Sequence, residues 1–345
     1  MTTARASGKI ILFGEHAVVY GQPALAVPVK DIFAEAEVLD IDHAGIWISA
    51  PDIGFHEEFS SLARENPLAT VVDAVFATLG LDAANETRKV SKVLQEKYSI
   101  ADKENSGEPK TRRKPFGSKK GIEIKIISSI PIASGLGSGA AVSVAVIRAL
   151  SAHLGSLLDD KKVNEIAYVV EKIHHGTPSG IDNTVVTYGK PIFFIKGQPI
   201  ELLDVVKSFT IIIADTGIPA PTKESVADVR KLWEKYPKKM NALFAAAGSI
   251  AKTARQSIEG GHPERLGALM NENHRILREM DVSCQALDDL TEASLNSGAI
   301  GAKLSGGGRG GNMIALSTKE NAPAIAEALY EAGAKNVIVT EIGQS

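Results

Sequence analysis

Two carboxylates, Glu171 and Asp182, stand on either side of a segment rich in helix-breaking residues, Gly-Thr-Pro-Ser-Gly. We predict that Glu171 closes a helix and that Asp182 sits just beyond it. Magnesium prefers hard oxygen ligands and usually takes only one or two from protein carboxylates. The second carboxylate could accept or orient the proton of an attacking hydroxyl. The adjacent His174 and His175 would face different directions on a helix, so we interpret them as structural.

A glycine-rich turn follows a predicted strand (122–128) and opens a predicted helix (140–154). Backbone N–H groups in such a turn can converge on one point, and the helix N-terminus adds partial positive charge, so a phosphate group suits it. The spacing matches neither a P-loop nor the GxGxxG pattern. An ordinary strand-to-helix turn is the alternative. The candidate phosphate-binding residues are Pro131, Ala133, Ser134, Gly135, Leu136, Gly137, Ser138, Gly139 and Ala140.

A third cluster surrounds a short apolar run, 10–13, near the start of the sequence. Lys9 precedes this predicted strand, and Glu15 and His16 follow it. The cluster therefore offers a cation, an anion and a titratable imidazole within a few residues. Single residues of these types usually lie on the surface, which is the alternative interpretation.

A fourth segment places five glycines around Arg309, between two predicted strands. One interpretation is a flexible linker. A floppy loop inside a domain costs conformational entropy, however, so a close approach of the backbone to a ligand explains the glycines better. Gly306 and Gly307 are the candidate residues of this segment.

The overall composition is that of a globular protein, with 345 residues, 44% hydrophobic and 23% charged. The net charge of −3 gives no general reason to expect nucleic acid or a membrane as a partner. The only cysteine, Cys284, cannot form an internal disulfide, which is typical of the reducing cytoplasm. We find neither a signal-like apolar segment nor a run long enough to span a bilayer, and we expect a cytoplasmic protein.

The predicted elements alternate between strands and helices and indicate an α+β chain of two domains, 1–190 and 191–345. A stretch at about 85–120 differs, since it carries eleven Lys or Arg against five Asp or Glu. We interpret it as a solvated surface insertion. The alternative is that its positive field helps to attract anionic substrates.

Together, the four segments resemble the GHMP kinase superfamily. The run GKIILFGEHAVVYG at 8–21 is the most specific match, and it is similar to the members that phosphorylate mevalonate. The segments Pro221-Thr222-Lys223 and Met270-Asn271-Glu272-Asn273-His274 also resemble the second half of those enzymes. The resemblance implies an N-terminal domain like ribosomal protein S5 domain 2 and a ferredoxin-like C-terminal domain. It also implies transfer of the γ-phosphate of ATP, with Mg²⁺, to the 5-hydroxyl of mevalonate, and a possible homodimer. The alternatives are a GHMP kinase for another small alcohol, such as phosphomevalonate, a sugar or homoserine, and a catalytically silent protein of this fold that binds a ligand without turnover.

The resemblance also implies roles for individual residues. Asp182 matches the catalytic aspartate, proposed as general base, and Lys9 matches the lysine that stabilises charge on the γ-phosphate. Glu171 matches the magnesium carboxylate, and 131–141 matches the loop around the ATP phosphates. The residues implied on the substrate side are Glu15, His16, Thr222, Gly306 and Gly307. For His16 either the carboxylate or a hydroxyl of mevalonate is a plausible partner.

The sequence departs from the family pattern at three positions. Gly139 stands where a serine that reaches magnesium is usual, so either Ser138 or a water molecule would complete the metal shell. Ser7 replaces a common proline, which would only loosen a turn. Arg309 interrupts a run that is often all glycine, and it is either a surface residue or a cation directed at phosphate or carboxylate.

Overall fold

The computed structural model of the chain describes residues 1–63, 65–81, 120–131, 134–175, 179–220 and 222–343, with the backbone alone for 174–175. The predictions for Ala133, for the side chains of His174 and His175 and for nearly all of the basic segment lie outside the described residues. The chain divides into two compact units. The first comprises Met1–Ala6, Phe33–Ser129 and Gly139–Tyr188, and the second comprises Ser7–Ile32, Ile130–Ser138 and Gly189–Ser345.

The elements of the first half of the chain alternate between strands and helices. They are β1 (Thr2–Phe13), β2 (Ala24–Ile41), β3 (Gly45–Ala50), β4 (Phe55–Glu58), α1 (Pro67–Thr78), β5 (Gly121–Ser128), α2 (Ser138–His153), α3 (Asp160–His175) and α4 (Ile181–Tyr188). In the first unit, β3 pairs in parallel with β5 and antiparallel with β4, and β5 pairs antiparallel with the second half of β2. Side chains alternate along β5, so that Ile122, Ile124 and Ile126 are buried whereas Glu123 and Lys125 are partly exposed. Helix α3 packs against α1 and α4.

One long strand, β2, replaces the two short strands, 24–29 and 33–38, that the apolar pattern predicts for this stretch. Its residues up to Ile32 belong to the second unit and those from Phe33 onward to the first. Lys30 and Asp31 are exposed in the middle of the strand, where they interrupt the apolar pattern. The backbone nevertheless continues in the extended conformation, because strand pairing does not require an apolar side chain at every position.

The second half of the chain builds most of the second unit. Its elements are β6 (Ile192–Phe194), β7 (Glu201–Leu202), β8 (Phe209–Asp215), α5 (Thr222–Lys235), α6 (Pro237–Glu259), α7 (Leu266–Glu279), α8 (Gln285–Asn296), β9 (Gly301–Ser305), β10 (Asn312–Ser317), α9 (Ala322–Glu331) and β11 (Asn336–Ile342). An antiparallel sheet has the order β11-β8-β10-β9, and β9 and β10 are buried along their whole length. Helices α7 and α8 pack against β9. The strand β9 therefore lies at the end of its sheet and is covered by helices.

Both units combine strands with helices, which confirms the predicted α+β class. Helix α4 is the main element that the sequence did not predict. Its short length and β-branched Thr and Val residues disfavour a helix by propensity, and tertiary packing overrides that preference. A search of the described residues finds no helix with the length and apolar character that crossing a membrane requires.

Candidate functional site

The predicted phosphate loop forms a tight turn directly before α2. Gly135 and Gly137 both have φ of 77°, a left-handed conformation that favours glycine. The Ser134 hydroxyl donates to the carbonyl of Pro131 at 2.8 Å and closes the start of the turn. Helix α2 then begins at Ser138, and the first N–H groups of a helix have no partner within it. This arrangement has the properties that phosphate binding requires, namely free N–H donors and the positive end of a helix dipole.

Lys9 lies directly against this loop. Its backbone N–H donates to the Leu136 carbonyl at 2.9 Å, and the residue is only 5% exposed. A Cβ atom placed on Gly137 would lie 2.7 Å from Lys9 Cγ and 3.2 Å from Cε. The aliphatic part of Lys9 therefore crosses the position that a side chain at 137 would occupy. The glycine is required both by its positive φ and by this contact.

Glu171 lies near the start of α2 within the first unit. A Cβ atom placed on Gly139 would lie 3.9 Å from Glu171 Oε1, which is the nearest atom that the described residues offer. The carboxylate therefore approaches the N-terminus of α2 at residue 139, where the family resemblance implies a serine. A search of the described residues finds no group of three or more His, Cys, Asp or Glu side chains that could hold a metal by themselves. A single carboxylate is within the number that Mg²⁺ usually takes from a protein.

Asp182 lies in the first turn of α4, beyond the end of α3, the helix that carries Glu171. A carboxylate is favourable in the first turn because of the helix dipole. The next residue, Asn183, is buried and donates from Nδ2 to Oδ1 of Asn164 on α3 at 2.6 Å. Thr184 donates to the same oxygen at 3.3 Å. These bonds fix the first turn of α4 on α3 and thereby limit the positions that Asp182 can adopt.

A buried ion pair joins Glu15 to Lys303 within the second unit. Both side chains are fully buried, and Lys303 Nζ donates to Glu15 Oε1 and, at 2.6 Å, to the carbonyl of Leu304. Burial lowers the pKa of Lys303, and the negative charge of Glu15 opposes that shift. Sequence analysis assigned no role to Lys303. A lysine inside an otherwise apolar strand, between Ala302 and Leu304, was the only available signal.

His16 adopts an unusual backbone conformation, with φ 58° and ψ −46°. Such strain persists where surrounding contacts hold it, and it is common at functional sites. Nε2 bonds the carbonyl of Gly307 at 3.0 Å, and since a carbonyl only accepts, Nε2 carries the proton. The pKa of His16 is lowered chiefly by burial, opposed by this bond and reinforced by Arg309. The neutral ring therefore has an acceptor at Nδ1, which is buried without a hydrogen-bond partner among the described residues.

The glycine-rich segment around Arg309 lies beside the phosphate loop in the second unit. Asn312 Nδ2 donates to the Ser134 carbonyl at 2.5 Å and ties the two segments together. A Cβ atom on Gly307 would lie 2.6 Å from Oγ1 of Thr222, at the start of α5. A side chain at position 307 would therefore clash with Thr222, so this position requires glycine. Asn312 had no assigned role in the sequence analysis, although it directly follows the glycine run.

Several predicted residues line one cavity of the second unit. The residues that line it are Ile10, Ile11, Ser134, Gly135, Ala220, Thr222, Ser305, Gly306, Gly307, Gly311 and Asn312. This set includes members of the phosphate loop, of the glycine-rich segment around Arg309 and of α5. Lys9, Glu15 and His16 belong to the same unit, whereas Gly139, Ala140, Glu171 and Asp182 belong to the first.

Arg309 holds the glycine-rich segment in place through hydrogen bonds to neighbouring residues. Its guanidinium bonds Oδ2 of Asp228 on α5 at 2.6 Å and the carbonyl of Asp281, just after α7, at 3.1 and 3.2 Å. Its backbone N–H donates to the Val282 carbonyl at 2.8 Å, and its φ is 59°. The sequence left open a surface residue or a cation directed at a ligand, whereas these contacts make Arg309 a structural residue that joins the glycine-rich segment to Asp228 and Asp281.

Comparisons with known proteins cover both halves of the chain. A family model described as GHMP kinases N terminal domain matches residues 88–190, and one described as GHMP kinases C terminal matches residues 254–335. A mevalonate kinase of Pyrococcus furiosus is 37% identical over 350 residues, covering 99% of this chain and 96% of that protein. A mevalonate kinase of Thermococcus sibiricus is 36% identical over 349 residues, with the same coverage.

Solved structures give the same result for the fold. A crystal structure of L. major mevalonate kinase in complex with R-mevalonate matches with a TM-score of 0.79 and 28% identity, covering 100% of this chain and 97% of that one. A galactokinase of Lactococcus lactis complexed with galactose matches with a TM-score of 0.69 at 19% identity, covering 100% and 94%, which concerns the fold alone. The predicted two-domain fold is thereby confirmed.

The packing of Lys9 on Gly137 predicts unequal effects of two matched substitutions. Gly135→Ala and Gly137→Ala both impose an alanine on the same positive φ, which costs about 1–2 kcal/mol. Gly137→Ala also forces Lys9 aside, and overpacking of this kind costs about 1–3 kcal/mol more. Gly135 has no atom within 4 Å of its Cβ position among the described residues. The free energies of unfolding from urea titrations measure the difference.

A third variant identifies the cause of that difference. If Lys9 is the obstacle, adding Lys9→Ala should remove the extra cost of Gly137→Ala but leave the cost of Gly135→Ala unchanged. Equal destabilisation by the two glycine substitutions, with no coupling to Lys9, would contradict the packing described above.

Proposed function

The chain belongs to the GHMP kinase family, and we propose that it transfers the γ-phosphate of ATP to the 5-hydroxyl of mevalonate. The observation that carries this proposal is the cavity in the second unit where the phosphate loop, Thr222 and the glycines at 306–307 meet. The curated relatives that match the chain over nearly its whole length are mevalonate kinases. Mevalonate and ATP are the proposed substrates.

Lys9 is proposed to stabilise the negative charge on the transferred phosphoryl group. Its contact with Gly137 supports this role, because that glycine belongs to the loop expected to hold the ATP phosphates. Phosphoryl transfer depends mainly on positioning and on electrostatic stabilisation. A lysine held by packing against the phosphate loop meets both requirements without large reorganisation.

Glu171 is the proposed Mg²⁺ ligand, and Ser138 is the second candidate. The ion, when bound, would supply positive charge that offsets the negative charge of the phosphates. The approach of Glu171 to Gly139 at the helix N-terminus supports this assignment. With glycine at 139, we propose that water completes the shell in place of the usual serine, since Mg²⁺ commonly retains several water ligands.

Asp182 is proposed to accept or orient the proton of the attacking hydroxyl. Its place in the first turn of α4 sets the carboxylate near the positive end of a helix dipole. The bonds of Asn183 and Thr184 to Asn164 support a fixed position for this turn. A loose phosphoryl-transfer transition state demands little of a base, so orientation of the hydroxyl is the larger part of this role.

His16 is proposed to contact a hydroxyl of mevalonate rather than its carboxylate. The neutral ring offers an acceptor at Nδ1, because Nε2 donates to Gly307. A hydroxyl can donate to that acceptor, whereas an ionised carboxylate cannot. Glu15 and the residues Thr222, Gly306 and Gly307 complete the proposed substrate side.

The remaining proposals concern the cellular location of the enzyme, its partners and its domain division. A single cysteine supports a cytoplasmic location. The net charge of −3 provides no electrostatic attraction to nucleic acid. The one macromolecular partner that the family resemblance suggests is a second copy of this chain, in a homodimer. The proposed domain division, 1–190 and 191–345, differs from the two compact units, which assign Ser7–Ile32 and Ile130–Ser138 to the second unit; the end of the N-terminal family match at residue 190 supports it.

A coupled assay of ADP release across four acceptors tests the proposed substrate. We expect turnover with mevalonate to exceed turnover with phosphomevalonate, galactose and homoserine, because a site built for one hydroxyl acid leaves its polar groups unpaired with the others. Each acceptor is tested at matched concentration with MgATP, and a reaction without acceptor measures the background. Preference for another acceptor would refute mevalonate as the substrate while leaving the kinase family unaffected.

Asp182→Asn tests the proposed proton acceptor. We expect kcat to fall by about a hundred- to ten-thousandfold, because the neutral amide can neither take the proton nor orient the hydroxyl as strongly as a charged carboxylate does, while ATP still binds. Steady-state kinetics and calorimetric ATP titration measure the two effects. Glu165→Gln, which neutralises an exposed carboxylate on α3, serves as the matched control and should retain activity. Near-normal turnover of Asp182→Asn would exclude this role.

Gly139→Ser tests the metal assignment. The added hydroxyl would lie near Glu171 Oε1, so we expect activity to be retained and half-maximal activity to require less Mg²⁺. Ser138→Ala distinguishes the two candidate ligands, since it should raise the Mg²⁺ requirement only if Ser138 binds the ion. Complete loss of activity in Gly139→Ser would show that residue 139 does not occupy the position of the family's serine.

A further inference from the structure

The helix α7 is in backbone contact with strand β9. A Cβ atom on Gly301 would lie 2.1 Å from the Gly267 carbonyl oxygen, and one on Gly267 would lie 2.5 Å from the Ile300 carbonyl oxygen. Neither position therefore accepts a side chain without displacement of the helix from the strand. Such a close approach allows short side chains on α7 to reach the backbone of β9.

Two side chains of α7 bind the backbone of β9. Asn271 Oδ1 accepts from the N–H of Ala302 at 2.9 Å, and His274 Nδ1 accepts from the N–H of Leu304 at 3.2 Å. An unpaired N–H at the end of a sheet needs a partner when it is buried. The spacing fits, because residues three apart on a helix share one face and alternate residues of a strand share one edge.

His274 is held in one protonation state by its neighbours. Nδ1 accepts a hydrogen bond from an amide, so the proton of the neutral ring lies on Nε2, which faces Asp288 Oδ1 at 3.2 Å. Asp288 also bonds Ser283 at 2.5 Å and Arg278 at 3.1 Å. Burial lowers the pKa of His274, with Asp288 opposing the shift and Lys303 and Arg278 adding to it.

The residues of β9 next to Ala302 and Leu304, and the segment that follows the strand, contact the residues proposed for the substrate side. Lys303 lies between the two anchored residues and binds Glu15. Ser305 donates from Oγ to the Ile11 carbonyl at 2.7 Å. The chain then enters the glycine-rich segment, where Gly307 accepts the bond from His16. Every one of these contacts lies within the second unit.

We propose that Asn271 and His274 form a backing clamp on β9, and that this clamp positions Glu15 and His16 for the substrate through Lys303 and Gly307. The two residues touch neither the cavity nor the proposed reacting groups, so they are positioning residues. The inference rests on the proposed function for the identity of the substrate. Its physical basis is that a buried ion pair is favourable only when its two charges are held in close geometry.

Substitutions at the two anchors test the clamp by kinetics. We expect His274→Leu and Asn271→Leu each to raise KM for mevalonate about tenfold, because a buried N–H loses its acceptor and the strand shifts. KM for ATP should change much less. His274→Asn retains an acceptor at nearly the position of Nδ1 and should restore most of the affinity. Glu272→Leu, an exposed neighbour on the same helix, is the matched control and should behave as the wild type.

A second measurement needs no turnover and separates this inference from the proposed function. In ¹⁵N spectra of the substrate-free protein, His274→Leu should speed exchange of the His16 Nε2 proton, since its bond to Gly307 weakens, and Glu272→Leu should not. Should His274→Leu fail to fold, the milder Asn271→Ala takes its place. A wild type without activity on mevalonate refutes the proposed function alone, because the spectra still test the clamp.

The pH dependence of stability supplies a third readout. The lowered pKa of His274 means that the folded protein binds fewer protons than the unfolded chain as pH falls below 6.5. The contribution of neutral His274 to the free energy of unfolding is thus complete above that pH and is lost as the pH falls below it. His274→Asn should therefore make the thermal unfolding midpoint fall less steeply between about pH 7 and 5.5.

An unchanged KM and unchanged His16 signals in both leucine variants would overturn the proposal. Equal KM increases in His274→Asn and His274→Leu would also overturn it.

Discussion

The ion pair between Glu15 and Lys303 is the constraint on which the second unit depends. Both side chains are fully buried, so both lose the solvation that water would provide. Removing one partner of such a pair leaves an unpaired buried charge, which costs roughly 3–5 kcal/mol. Lys303 also bonds the Leu304 carbonyl, and Asn271 and His274 bind the strand residues on either side of it. The position of one motif residue thus follows from a strand nearly three hundred residues away.

Glycines allow the polar groups to approach each other. Gly137 accommodates Lys9, Gly307 accommodates Thr222, and Gly301 with Gly267 brings α7 against β9. In each case a Cβ atom would occupy space that another residue fills. The glycines of this chain therefore serve packing as well as backbone conformation, and the two uses coincide at Gly137. A glycine-rich stretch within a domain is consequently not a flexible connection here.

The glycine loop and the helix that follows it were predictable because each leaves a local signal. Turn residues, helix starts and charged groups beside apolar runs are all visible within a few positions. Helix α4 was missed because its residues favour extended structure and its stability comes from contacts with α3. Lys303 and His274 received no role because each pairs with a residue far away in the chain, and no local pattern reports such a pair.

The sequence by itself determined the family, the alternation of strands and helices, and the kinds of chemical group available to a site. These properties depend on residue type and short-range spacing, which can be read directly. Only the tertiary structure decided which nitrogen of His16 carries a proton, that Arg309 binds Asp228, and that Lys303 faces Glu15. The physical reason is that protonation states and ion pairs depend on burial and on distances between remote residues. Those distances exist only once the chain has folded.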